Sequence, residues 1–314
     1  MVAPAARIYV AGHRGLIGSA LIRRLERGGY TNLIVRTHAD LDLSRQDPVD
    51  AFFAAERPEY VVLAAAKVGG ILANTTYRGD FIRENLRIAT NVIDASWRSG
   101  VRKLVNLSSS CVYPRESPQP MRESYIMTGP LEPTNEPYAM AKLAGMSMCR
   151  AYHDQYGVDF ISAIPTNLYG PGDNFDLQGS HFLPAMIRKC HEAKLAGATT
   201  VTVLGTGTPR REYLYADDCA EAIVRILESY AGPEPINIGT GRDATIAEMA
   251  HTVAAVIGFE GELVFDRSQP DGMLRKLQDI TKLTDLGWSA QVSLEDGIRR
   301  TYEAYLADHA TAAR

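Results

Sequence analysis

Near the N-terminus the stretch IYVAGHRGLIG runs from a short apolar segment, Ile8 to Ala11, through Gly12, Gly15 and Gly18 into a segment of helical period. Glycines at this spacing let the backbone turn tightly and approach a pyrophosphate, whose charge then rests on a helix N-terminus. Strand, glycine-rich turn and helix in that order call for a crossover to a parallel strand. One short segment thus constrains both the sheet and its ligand.

The first half of the chain keeps that alternation. Strands are expected at Ile8–Ala11, Leu33–Arg36, Tyr60–Ala65, Lys103–Ser108 and Asp159–Ile164, with helices at Leu16–Arg27, Asp47–Ala55, Phe81–Ser99 and Tyr138–Tyr156. Strands that are apolar throughout belong to a sheet covered on both faces, so the reading is an α/β, doubly wound Rossmann parallel sheet. After Pro165 the turn-rich NLYGPGDN breaks the pattern. Beyond it come helices at His181–Ala196, Asp217–Ser229, Ile246–Ile257 and Leu294–Leu306, with strands at Val201–Leu204 and Pro235–Ile238. These pieces suggest a smaller mixed α/β substrate domain. Residues 1–174 would form the nucleotide-binding domain with segments near 214–242 returning to it, and residues 175–314 mainly the substrate domain. The tail 308–314 reads as unstructured.

Composition removes several classes of function. A net charge of −4 offers no basic field for nucleic acid or an anionic membrane. Cys111, Cys149, Cys190 and Cys219 lie 38, 41 and 29 residues apart, so no metal or redox pair is suggested. The longest apolar run, Tyr60 to Ala66, is too short to span a bilayer, and the N-terminus has no signal-peptide pattern. The expected setting is cytoplasmic and reducing, with no metal.

The second strand ends in Arg36 where an NAD site usually carries an acid, and Arg14 lies in the glycine loop itself. Two guanidinium groups near one ribose favour a 2′-phosphate, and hence NADP(H), because Arg grips phosphate through a planar fork. Asp40 and Asp42 lie close by in sequence.

Two further segments carry chemistry. In EPTNEPYAMAKLAG, Tyr138 and Lys142 stand at i and i+4 on one helix face. A phenol titrates near 10, so a neighbouring ammonium eases proton transfer at neutral pH. In SSSCVYP, at the end of the fourth strand, Ser109 offers a hydroxyl to a substrate oxygen. Cys111, two residues on, is by residue type alone a packing residue.

With GHRGLIG, AAAKVGGI, SSSCVYP, EPTNEPYAMAK, PTNLYGPGDNF and PRREYLYADD in this order, the chain resembles the extended short-chain dehydrogenases/reductases over nearly its whole length. Within them it is most similar to the branch that epimerises C3 and C5 of GDP-4-keto-6-deoxy-mannose and then reduces C4 with NADPH. The resemblance implies that Tyr138 donates a proton to O4, Lys142 holds the nicotinamide ribose and depresses the tyrosine pKa, and Ser109 bonds the ketone oxygen. It also implies that Cys111 and His181, in SHFLPAMIRK, are the acid–base pair of epimerisation.

Implied cofactor contacts are Gly12, Arg14, Gly15, Leu16, Ile17 and Gly18 in the loop, and Arg36, His38, Asp40 and Leu41 after the second strand. Further on they are Leu107 and Ser108, Lys142, then Pro165, Asn167 and Leu168, and His181. Lys189, Leu204, Arg211 and Asp271 match positions that hold the GDP-sugar. His38, Lys189 and Leu204 stand where relatives often carry arginine, arginine and tryptophan. A homodimer through Phe81–Ser99 and the Tyr138 helix is implied as well. Two readings remain beside this one: an enzyme on another GDP-4-keto-deoxy sugar of dideoxy or heptose type, and an NAD-retaining nucleotide-sugar 4-epimerase.

Overall fold

The computed structural model describes residues 2–177, 179–269 and 271–312. Its first half alternates β1 (Ile8–Ala11), α1 (Leu16–Arg27), β2 (Leu33–Ile34), α2 (Gln46–Glu56) and β3 (Tyr60–Leu63). Then follow α3 (Ile71–Thr76), α4 (Arg78–Arg98), β4 (Lys103–Leu107), α5 (Glu136–Tyr156) and β5 (Asp159–Pro165). The second half brings β6 (Asn167–Tyr169), α6 (Phe182–Leu195), β7 (Thr200–Leu204), β8 (Arg210–Arg211), β9 (Tyr213–Tyr215), α7 (Ala216–Ser229) and β10 (Ile236–Ile238). It closes with β11 (Ala244–Thr245), α8 (Ile246–Ile257), β12 (Glu262–Asp266), β13 (Arg275–Lys276), α9 (Thr281–Asp285) and α10 (Leu294–Ala312).

The main sheet has the order β10-β5-β4-β3-β1-β2 and every pair in it is parallel. Alternate residues of β1 explain why it is buried on both faces. Ile8 and Val10 pack with Leu21 and Leu25 of α1 and Ile223 of α7. Tyr9 and Ala11 face Phe52 and Phe53 of α2 and Ile93 of α4. Chain order reverses between β1 and β3, which places the topological switch point, and the crevice such sheets use for ligands, at the carboxyl end of β1. A separate core joins α6, α8 and α10 to the parallel pair β7–β12 through Ile187, Val203, Val253 and Ile298.

Most boundaries shift by one to three residues from the sequence expectation, and four of the shifts bear on the site or the tail. β2 ends at Ile34, so Arg36 lies beyond it, and β3 ends at Leu63, where its register with β1 runs out at Ala11. α6 starts at Phe182, leaving His181 as its N-cap. α10 continues to Ala312, past the expected stop at Leu306, while residues 313 and 314 lie outside the described residues. The two-residue strands β8, β11 and β13 are too short to carry a sequence period, and they pair only with one another.

Glu212, completely buried between β8 and β9, ties the small sheet to the large one. Its carboxylate accepts from the amides of Thr240 (2.7 Å), Gly241 (2.7 Å) and Gln278 (3.0 Å). Its carbonyl accepts from Thr166 Oγ1 and Asn167 Nδ2, just past β5. Burial raises its pKa, and the amide bonds oppose that rise. Removing the carboxylate orphans three amide donors, so Glu212→Ala should lose about 3–5 kcal/mol of unfolding free energy in denaturant titration. An unchanged midpoint would contradict the assignment.

Candidate active site

At the end of β1, Gly12 adopts φ +85°, and a Cβ there would sit 2.8 Å from Ala65 Cα. A Cβ on Gly18 would lie 2.0 Å from the Gly12 carbonyl oxygen. The first glycine makes the turn and the last lets α1 pack against it. Gly15 caps α1 without a side-chain hydrogen bond, so the first turn, including Leu16 and Ile17, offers backbone N–H groups to an anion. This cradle fits a dinucleotide pyrophosphate. Arg14 is exposed at its rim.

Arg14 and Arg36 both act electrostatically on Asp40, so the three charges converge where the sequence places a ribose phosphate. Arg36 lies over the Phe52 ring and pairs with Glu56, so its fork is partly engaged. Asp40 accepts from Thr37 Oγ1 (2.6 Å), which lowers its pKa. His38 is exposed, 3.9 Å from Asp42. The Leu41 side chain is buried in the core, which leaves only its backbone for a ligand.

Sequence and local structure explain the strand end beyond β4. Ser109 caps a single 3-10 turn, Ser110–Val112, its hydroxyl accepting from the Cys111 amide at 3.4 Å. On one side Ser108 is buried and bonds to Met146 Sδ. On the other Val112 is buried and Tyr113 donates to Asn237 Oδ1 at 2.7 Å. The turn is clamped at both flanks, and Cys111 is left at its partly open crest. Cys149, Cys190 and Cys219 are all buried.

α5 supplies the dyad. Lys142 Nζ donates to the Leu107 carbonyl at 2.8 Å and lies 5.7 Å from the Tyr138 ring centroid. Burial raises the phenol's pKa, where a depression by Lys142 was expected; the Cys111 sulfur adds to the rise, and the nearby Ser109 hydroxyl opposes it. Burial also lowers Lys142 to about 8, against an opposing pull from the Cys111 sulfur. Ser109, Cys111, Tyr138 and Lys142 therefore form one interacting group.

His181 reaches the cleft by another route. The Tyr138 ring packs edge-on against Phe81 (6.3 Å), and a Cβ on Gly69 would touch Phe81 at 3.2 Å. Gly70 N then donates to Gly179 O at 3.0 Å, two residues before His181. Desolvation, then the Lys276 charge, lower the His181 pKa. Beyond β5, Pro165 is buried at the strand end, Asn167 bonds the Glu212 carbonyl, and Leu168 packs on the main core.

The four positions assigned to the GDP-sugar gather at the end of β7. Lys189 Nζ donates to Thr202 O (3.2 Å), and Leu204 is 61% exposed at the strand tip. Asp271 accepts from Thr206 N and Oγ1, both at 2.7 Å, and acts on Arg211. Burial lowers the Arg211 pKa.

Sequence reasoning passed over two residues here. Lys276 pairs in register with Arg211 and faces His181, but a lysine in a two-residue strand carries no pattern. Asp173, in the YGPGD turn, is desolvated and raised to about 7, with Oδ2 buried and without a hydrogen-bond partner among the described residues. Among those residues no cluster suited to a metal occurs, and no helix is long and apolar enough to cross a membrane.

Comparison with known proteins follows the same lines. Residues 8–239 match the model of the NAD dependent epimerase/dehydratase family. The chain is 56% identical over 301 residues to GDP-L-fucose synthase 1 of Arabidopsis thaliana, covering 96% of this chain and 93% of that one. It is 50% identical over 309 residues to GDP-L-fucose synthase of Escherichia coli (strain K12), covering 96% of each. Among solved structures it is similar to a GDP-L-fucose synthetase from Naegleria fowleri bound to NADP, with a TM-score of 0.92 and 29% identity, covering 100% of this chain and 98% of that one.

Lys142 generates a pH prediction. Burial holds its pKa at about 8 in the fold, against about 10.4 for a free lysine. Between those values the unfolded chain binds more protons, so stability rises with pH. The native protein should therefore gain stability relative to Lys142→Met as pH is raised from about 8 to about 10 in denaturant unfolding. A constant difference across that range would contradict the desolvated environment.

Proposed function

The chain belongs to the NAD dependent epimerase/dehydratase family, and from that premise we propose that it converts GDP-4-keto-6-deoxy-D-mannose to GDP-L-fucose. It is a bifunctional 3,5-epimerase and 4-reductase that uses NADP(H). The observation that carries this reading is the single group formed at the end of β4 by Ser109, Cys111, Tyr138 and Lys142.

The chemistry follows from the substrate's C4 ketone. Protons on C3 and C5 flank it and are acidified by enolate formation. Inverting each carbon requires a base on one face and an acid on the other. Cys111 takes the proton, since a thiolate is a competent base. His181 delivers one, and its lowered pKa makes the imidazolium a stronger acid than a free one.

The bound cofactor, NADPH, would supply the hydride for reduction at C4. Tyr138 gives its proton to O4, and a phenol whose pKa is raised keeps that proton until oxyanion charge develops. Ser109 bonds the same oxygen. Lys142 orients the cofactor ribose from its anchor on the Leu107 carbonyl.

The glycine loop (Gly12 and 14–18), Arg36, His38, Asp40, the Leu41 backbone, Leu107, Ser108 and residues 165, 167 and 168 line the NADP side. Arg14 and Arg36 select the 2′-phosphate. Lys189, Leu204, Arg211 and Asp271 hold the GDP-sugar. Residues 1–174, with returning segments near 214–242, are the cofactor domain, and 175–314 mainly the substrate domain. The enzyme works in the cytoplasm as a homodimer through the α4–α5 face. That face stacks Trp97 on Tyr156 at 4.2 Å and leaves Tyr156 and Met140 exposed.

Two variants separate the half-reactions. Tyr138→Phe should lower NADPH oxidation by about 10²–10⁴-fold while sparing NADPH binding. Cys111→Ser should instead slow epimerisation by a similar factor and let a reduced but uninverted sugar accumulate. Normal turnover in Tyr138→Phe, or normal fucose formation in Cys111→Ser, would refute the corresponding assignment. Arg36→Ala should weaken NADPH far more than NADH in binding titrations, and equal losses would remove the phosphate role.

A further inference from the structure

An asparagine at a helix N-cap ordinarily turns its side chain back to accept from the second or third helical amide. Asn135 caps α5 and makes no such bond. Its Nδ2 donates instead to Cys111 Sγ at 3.1 Å. Its Oδ1 is buried without a hydrogen-bond partner among the described residues. The Asn135 amide donates to Glu132 O at 3.2 Å, and Glu132 pairs with Arg115, so the approach to the cap is held. A forgone cap and an orphaned oxygen are both unfavourable in the free protein. Both make sense if the two ends of one amide serve the cleft.

We infer that Asn135 is a positioning residue for Cys111: its Nδ2–H holds the sulfur and favours the thiolate, while its Oδ1 is kept for a hydroxyl of the bound sugar. Charge-assisted hydrogen bonds are roughly twice as strong as neutral ones, so the N–H favours S⁻ over S–H. The positive end of α5 acts in the same sense, as does the Lys142 ammonium, which interacts with this sulfur. The inference deepens the reading of Cys111 as the epimerising base and rests on it.

The test exploits the burial of the other three cysteines. Iodoacetamide alkylation of Cys111 is followed by mass spectrometry across pH in the full-length native protein, Asn135→Ala and Asn135→Asp. At pH 7 the rate should fall about tenfold in Asn135→Ala, with its pH profile moved upward. It should fall further in Asn135→Asp, where a carboxylate faces the sulfur. Exchange of substrate protons with deuterated solvent should fall in parallel and recover at higher pH. Because Asp is isosteric with Asn, that variant decides the matter even if the alanine variant does not fold. Superimposable alkylation profiles for the foldable proteins would overturn the inference. Normal epimerisation by Cys111→Ser would refute the base assignment instead, and the alkylation comparison would still decide whether Asn135 holds the sulfur.

Discussion

The hydrogen bond from Lys142 Nζ to the Leu107 carbonyl fixes helix α5 against the last residue of strand β4. β4 is paired in register with β3 on one side and β5 on the other, so its end cannot slide. A helix anchored there delivers Tyr138 to the Ser109 hydroxyl one turn nearer its N-terminus, and Asn135 to the Cys111 sulfur at the cap. The spacing of four between Tyr138 and Lys142 thus becomes a geometric relation between a phenol and a strand end. Without the anchor the four groups would share a cleft but not a register.

The electrostatics of the site follow from its dryness. Desolvation pushes Tyr138 up and Lys142 down to about 8, and lowers His181, so each group is shifted toward its neutral form. In the proposed reaction a neutral phenol is the right starting point for an acid that protonates an oxyanion. The ammonium of Lys142 is held against a desolvation cost by a backbone carbonyl. Such a cost is characteristic of groups placed for chemistry rather than stability.

The parallel sheet was legible because its strands are apolar on both faces and its helices carry a period. The helix bounds Leu16–Arg27 and Ile246–Ile257 coincide with the observed ones for that reason. Strands of two residues have no period, so β8, β11 and β13 were invisible, and with them the placement of Lys276 beside Arg211. β12 was missed because its apolar run, Leu263 to Phe265, is only three residues long between Glu262 and Asp266. The Gly12–Gly18 turn and the Tyr138/Lys142 pair were readable from residue types and spacing. Cys111 and His181 were readable only through resemblance, since a lone thiol and a lone imidazole have blander uses. Asn135 carried no signal at all: an asparagine before a helix looks like a cap, and only coordinates reveal that it caps nothing.

One incubation tests the proposed chemistry most directly: native protein, GDP-4-keto-6-deoxy-mannose and NADPH in deuterated water, with the product read by NMR. GDP-L-fucose should carry deuterium at both C3 and C5 if solvent-exchanging acid–base groups invert those carbons before C4 is reduced. A reduced sugar without deuterium at either carbon would contradict it, leaving a reductase whose Cys111 and His181 have no part in proton transfer.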